Sequence, residues 1–279
     1  MNQLIEATLD TLLERIENGD GAWLKEWVGG GMPRNFTTEK NYRGINTLLL
    51  WCYREKNEYP TQDWATYKQW ADAGYQVSKG QKSSVIFIHK DAVKKGGNPD
   101  NPDDHYRLLK CAFVFNAAQL ESPPMVDEPI DTGFTTVDLC EQTIRGTLAR
   151  VIEDGQPAYS PVLDAIKMPP GYAFHTAEAY YCTYFHELTH WSGHRSRLAR
   201  TGLSYAEEEL VAEFGAAFLC ASHGIDGVND NAAAYIRSWL KQIKVDRAGA
   251  LMKAASQASK AAEYITGLKE AHQQNELVA

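Results

Sequence analysis

The chain has 279 residues, 28 Lys and Arg against 36 Asp and Glu, a formal net charge of -8 and 44% hydrophobic residues. This mix suits a soluble chain able to bury a sizeable core, and it excludes disordered, collagen-like and low-complexity classes. The negative balance argues against a nucleic-acid partner, because phosphate binding needs clustered Lys and Arg.

In chain order, Leu4, Ile5, Leu9, Leu12, Leu13 and Ile16 recur at helical spacing and stop at Asn18-Gly19, predicting an opening amphipathic helix. Residues 47–57 and 61–73 read as two further helices, the second capped by Thr61 and stopped by Gly74. Residues 84–89 and 108–115 are rich in β-branched and aromatic side chains and predict a strand pair joined by a long Gly-, Pro- and Asp-rich loop. The stretch from Ser122 to Pro129 is proline-rich, acidic and aperiodic, as a linker would be. Beyond it, 137–153, 176–192, 205–222, 230–245 and 249–268 predict helices, and 162–168, before Pro169-Pro170, predicts a short edge strand. The expected organisation is thus α+β with two domains: 1–122, a small mixed α/β unit; 123–131, a linker; and 132–279, a mainly helical unit with a small sheet.

No run of 18 apolar residues exists, and the first twenty residues carry acids without a small-residue cleavage site, so neither a membrane span nor a signal peptide is expected and the default compartment is the cytoplasm. Cys52, Cys111, Cys140, Cys182 and Cys220 are odd in number and never form a CxxC pair, which predicts buried reduced thiols. Charge is unevenly spread. Residues 34–95 hold 11 Lys and Arg against 6 Asp and Glu, whereas residues 123–279 hold 13 against 20.

Inside the predicted 176–192 helix lies His186-Glu187-Leu188-Thr189-His190, an H-E-x-x-H pattern that chance would produce about 0.016 times in a chain of this composition. Residues four apart on a helix lie one above the other, so His186 and His190 can address one ion, with Glu187 beside a bound water as general base. A catalytic zinc site needs a third ligand. Glu209, on the next predicted helix, supplies a carboxylate; Glu213, one turn on, is placed to orient a ligand histidine by hydrogen bond; and Gly215, Ala216 and Ala217 would let the two helices approach closely. Tyr180, Tyr184 or Tyr205 could donate a phenol hydrogen bond to an oxyanion, although packing is the commoner role of tyrosine. His194 reads as a residue behind the ligands or on the surface, His223 as a helix-end residue and Glu208 as a solvated one. The implied reaction is amide hydrolysis with Zn2+, or Mn2+ or another divalent ion in its place.

In the first domain Trp23, Trp27, Tyr42, Trp51, Tyr53, Trp64, Tyr67, Trp70 and Tyr75 are interleaved with basic residues, including Arg34, Lys40, Arg43, Lys79 and Lys82. Aromatic faces that stack on bases, with Lys and Arg along the phosphates, are how unspecific single-strand binders work. Buried tryptophans would give the same composition.

Pro33-Arg34-Asn35, the run from Lys40 to Leu50, Trp64 to Gln69, Gly74, Lys79-Gly80 and Val114-Phe115-Asn116 resemble the N-terminal domain of ArdC-type plasmid antirestriction proteins. His186 to His194, Arg197-Leu198 and Tyr205 to Phe218 resemble the metallopeptidase domain of the same family. The resemblance implies a single-stranded-DNA-binding domain joined to a gluzincin-like zinc domain in a bacterial, plasmid-encoded protein that protects incoming DNA from restriction. On it, His186, His190 and Glu209 are metal ligands and Glu187 the catalytic base. Arg34, Lys40, Tyr42, Arg43, Lys79 and Lys82 become the DNA candidates, and a host restriction component a possible protein substrate. Two alternatives stay open: a DNA-binding antirestriction module whose metal domain is structural or inactive, and a plain metallopeptidase.

Overall fold

The computed structural model describes residues 3–19, 23–98, 100–124, 135–225 and 231–276. Most of the predicted linker at 123–131 lies outside them. The architecture is α+β, with two small sheets set among helices that make up about half of the chain.

The opening helix α1 (Gln3–Asn18) buries Ile5, Leu9, Leu12, Leu13 and Ile16 along one stripe, as the spacing requires. A short α2 (Trp23–Val28), which the sequence did not suggest, leads to strand β1 (Arg34–Asn35) and then to α3 (Ile45–Lys56). Gly44 caps α3 with φ +59, a conformation costly for residues with a Cβ, and its N–H donates to Ser259 Oγ at 2.7 Å. The expected 61–73 helix is half correct. Asp63–Ala65 is strand β2, and the helix α4 (Tyr67–Asp72) is capped by Thr66 rather than Thr61, in a capping box with Gln69. Trp64 and Ala65 are both fully buried, so their apolar character reflects a strand covered on both faces rather than a helical stripe.

The strand pair forms as expected but extends further: β3 (Ser84–Val93) pairs antiparallel with β4 (His105–Asn116) from Ser84↔Val114 to Val93↔His105. Their sheet has the order β1-β2-β4-β3.

In the second half, α5 (Thr136–Gly146) ends well short of the expected residue 153. Leu148 takes φ +51, and the β-branched Val151 and Ile152 belong to β5 (Arg150–Glu153). β5 pairs parallel with β7 (Ala165–Met168), which pairs antiparallel with β6 (Ala158–Ser160). β7 is therefore the central strand of this sheet, not an edge; Pro169-Pro170 follow it and take nothing from its ladder. Helices α6 (Ala177–Ser192), α7 (Tyr205–Ser222), α8 (Ala232–Gln242) and α9 (Arg247–Glu276) complete the chain. α8 is shorter than the periodicity suggests and α9 longer.

A cluster of buried side chains joins the two halves, running from Ile5 and Leu9 through Trp27 and Trp51 to Phe214, Phe218, Ala255 and Ile265. The Trp51 and Phe218 rings lie 5.6 Å apart, Arg237 donates to Gly19 O at 2.8 Å, and Arg247 is ion-paired with Glu17. None of the five cysteines is in a disulfide; Cys52, Cys140, Cys182 and Cys220 are buried and Cys111 is half-buried. Among the described residues no helix is long and apolar enough to cross a membrane.

Candidate metal centre

Two capped helices build the site. Thr176 Oγ1 accepts from Ala179 N and starts α6, while Ser204 and Glu207 form a capping box at the start of α7. From Leu210 to Ala221 nearly every side chain of α7 is buried, so its burial leaves no free face and its rotation is set by packing all round. The two helices meet where Gly215 faces Thr189. A Cβ built on Gly215 would stand 2.5 Å from Thr189 Oγ1 and Cγ2, so only glycine permits this approach.

The approach brings His186, His190 and Glu209 together, with one ligand atom from each within 4.8 Å of the others, forming a group of three metal-ligating side chains among the described residues. His186 Nε2 and His190 Nε2 are 3.2 Å apart, and Glu209 Oε2 and Oε1 lie 3.6 and 3.8 Å from them respectively. Two nitrogens bound tetrahedrally to one zinc ion at about 2.05 Å would be separated by about 3.3 Å, so the donor set fits a single divalent ion.

Each histidine also meets a carboxylate through its other nitrogen. Glu213 Oε1 is 3.6 Å from His186 Nδ1, and Glu208 Oε1 is 3.3 Å from His190 Nδ1. Glu213 thus faces the outer nitrogen of His186, at an ion-pair distance and not the hydrogen bond expected from the sequence. Glu208 is no solvated side chain, since Arg200, itself almost wholly buried, donates to both of its oxygens at 2.8 and 2.6 Å and to Thr189 O at 2.8 Å. Sequence reasoning missed both Glu208 and Arg200. The signal lay in the direction of the helices: α7 crosses so that the later Glu213 serves the earlier His186, and the partner of His190 must then come about one turn before Glu213.

Burial disfavours charge on His186, but Glu209, Glu213 and Glu187 around it prevail and push it up to about 9. Glu213 moves up to about 7, chiefly through burial, with Glu209 and Glu187 adding repulsion against His186. The pocket is one of negative charge that asks for a cation. Glu187 is buried beside the triad and borders the cavities on both of its sides.

Among the three tyrosines, Tyr205 borders the groove containing His186 and His190; it is hydrogen-bonded to Glu209, which raises its pKa, and meets Trp239 edge-on at 5.4 Å. Tyr184 is buried and meets Tyr180 edge-on, with ring centroids 5.8 Å apart. His194 sits on the rim of that groove with Nδ1 2.7 Å from Ser196 Oγ. His223 caps α7 but is buried, with Nδ1 2.7 Å from Leu219 O and Nε2 2.7 Å from Thr143 Oγ1; it is a packed histidine, not an exposed charge at a helix end.

The N-terminal candidates are not gathered in this way. Lys40, Lys79 and Lys82 are exposed; Arg34 is paired with Asp63 at 2.9 Å and Arg43 with Glu263 of α9. Tyr42 is half-buried, its hydroxyl accepting from Asn35 Nδ2 at 3.1 Å. Trp27, Trp51, Trp64 and Trp70 are fully buried and cannot stack on bases, while Tyr67 and Phe113, the latter not singled out by sequence, are about half exposed. The side chain of Trp23 lies outside the described residues.

Fold and triad define a zincin-like metallopeptidase domain, and the family model of that description matches residues 138–257. The model for the N-terminal domain of anti-restriction factor ArdC matches residues 2–116. Crystal structures of the antirestriction ArdC protein from plasmid R388, metal-free and Mn(II)-bound, are similar at TM-scores of 0.78 and 0.76 and identities of 34% and 35%. They cover 96% and 95% of this chain and 98% of theirs. Two proteins named DNA primase TraC, from Escherichia coli, are 30% and 31% identical over 95% of this chain, which spans only 20% and 27% of their length. The chain belongs to the ArdC antirestriction family.

Proposed function

We propose that the protein binds single-stranded DNA through residues 1–122 and carries a divalent-metal peptidase centre in residues 132–279, protecting incoming plasmid DNA from restriction in the bacterial cytoplasm. The observation that carries the peptidase part is the convergence of His186, His190 and Glu209 with Glu187 beside them, in a chain of this family. An ion held there, zinc or manganese, supplies a Lewis acid to a scissile carbonyl and makes water more acidic. Glu187 takes the water proton and passes it to the leaving amine. Glu208 and Glu213 fix the ring orientations of His190 and His186, and the Tyr205 phenol supports the developing oxyanion. Lys40, Lys79 and Lys82 meet phosphates, as does Arg43 once it leaves Glu263, and Tyr42 and Tyr67 lie beside the bases. A restriction component of the host would be the protein substrate.

Glu187→Gln tests the reading. Metal content and salt-sensitive binding of a single-stranded oligonucleotide should persist, while peptide hydrolysis falls by about 10²- to 10⁴-fold and protection from restriction is lost. Protection that survives would instead favour a second reading, in which the metal domain is a scaffold. One observation speaks for it: the core shared by α1, α3, α7 and α9 makes the second half part of the support of the first. Absence of oligonucleotide binding would remove the DNA half of the proposal.

A further inference from the structure

From the His186–Glu187 edge of the triad a cavity of about 250 Å³ runs toward α8. That is below the roughly 300–1,000 Å³ of pockets that take whole drug-sized ligands, and suits one side chain. Its near rim is polar, formed by His186, Glu187, Glu209 and Glu213. Beyond that rim the character changes: Cys182, Ala217 and Ala232 form a buried floor, and Tyr235 and Trp239 of α8 form an aromatic wall. The hydroxyl of Thr183, also on the lining, is already spent on Ala179 O at 2.8 Å. No Lys, Arg, Asp or Glu lies among the described residues beyond the rim. Trp239 is braced edge-on by Tyr205, so the wall is tied to the residue that touches Glu209.

We propose that this cavity receives one bulky apolar side chain of the substrate next to the cleaved bond, with Tyr235 and Trp239 setting the specificity; the inference rests on the peptidase reading above. A charged head placed there would lose its water without gaining a partner, and an acidic one would also face Glu187, Glu209 and Glu213. A lysine would meet those carboxylates only at the rim; beyond it the lining offers its ammonium no charged partner. An apolar side chain loses nothing and is removed from water, an effect worth at least about tenfold in affinity.

The test measures binding of four amino-acid hydroxamates, of glycine, phenylalanine, aspartate and lysine, to the full chain loaded with Zn2+ or Mn2+, by calorimetry. Phenylalanine hydroxamate should bind at least about tenfold more tightly than the glycine compound, and the charged pair no better than glycine. Tyr235→Ala, a change at a residue about half exposed, should remove most of that preference; Ala232→Phe, which fills the floor, should abolish it while glycine hydroxamate still binds. A flat ranking, including no binding at all, overturns the proposal, as does a phenylalanine preference untouched in both variants. Digestion of a random peptide library separates the two levels. Glu187-dependent cleavage with no apolar selection overturns the subsite and leaves the peptidase reading standing. Apolar selection by hydroxamates without Glu187-dependent cleavage supports the subsite and overturns the peptidase reading.

Discussion

At the crossing of α6 and α7, three side chains each bring a ligand-type atom within 4.8 Å of the others, and two more carboxylates face the histidines' outer nitrogens. In the N-terminal half, Lys40, Lys79 and Lys82 stand apart in solvent, and Arg34 and Arg43 are engaged by Asp63 and Glu263. The difference follows from the two chemistries. An ion must be met by several donors at one point, which only helices packed at glycine contact distance can arrange here; a phosphate chain is met by charges spread over a surface, each worth little alone. Damage should therefore be concentrated in one half and graded in the other.

The largest expected effect is at the triad. His190→Ala should abolish stoichiometric Zn2+ or Mn2+ binding, a heavier loss than the about 10- to 100-fold weakening expected for Glu208→Ala, which removes only an orienting partner. Calorimetric metal titration orders the two, and equal effects would mean that Glu208 is more than a support. Gly215→Ala should cost about 1–3 kcal/mol, since the added Cβ meets Thr189 at 2.5 Å; the denaturation midpoint reads it, and an unchanged midpoint would show that the crossing can open.

A smaller effect is expected at Asp164, whose carboxylate Arg197 holds down to about 2, against an ordinary value of about 3.9. A depressed carboxylate stabilises the fold above its unfolded pKa and ceases to do so as pH falls through its folded one. Asp164→Asn, which keeps the residue tolerant of its φ of +44, should thus lower the melting temperature at neutral pH, with the gap closing between about pH 4 and 2. A gap independent of pH would assign the loss to packing. Least of all, Lys79→Ala should reduce the slope of log affinity against log salt for single-stranded DNA by about 0.7 and leave metal content alone. Collapse of DNA binding on this one change would make the N-terminal surface as concentrated as the triad.

The metal half was the more legible in sequence because its geometry is local. Thr176 and Ser204 mark the starts of α6 and α7, and a four-residue spacing fixes which side chains share a face. Glu208 escaped because helical rotation alone puts it about 100° from Glu209, whereas two histidines one turn apart offer nitrogens over a wider arc. Where the reading failed in the fold, short strands were hidden in apolar runs: Trp64-Ala65 in β2 owe their burial, and the half-exposed Val151-Ile152 in β5 their extended backbone, to distant partners, β4 and β7, that no local period reveals. The buried Trp27, Trp51, Trp64 and Trp70 failed as a DNA signal for the opposite reason, since composition does not say which way a ring faces.

The packing of Ile5, Leu9 and Trp51 against Phe218, Ala255 and Ile265 bears on how such a protein can be inherited. The TraC primases carry a counterpart of 95% of this chain within far longer polypeptides, so what they share with it takes in both halves. Recombination at the outer margins of that stretch leaves every buried contact matched. An exchange near residue 123 would instead join α1 and α3 to an α7 and α9 shaped for other partners, and the mismatch would select against the hybrid before either activity was tried.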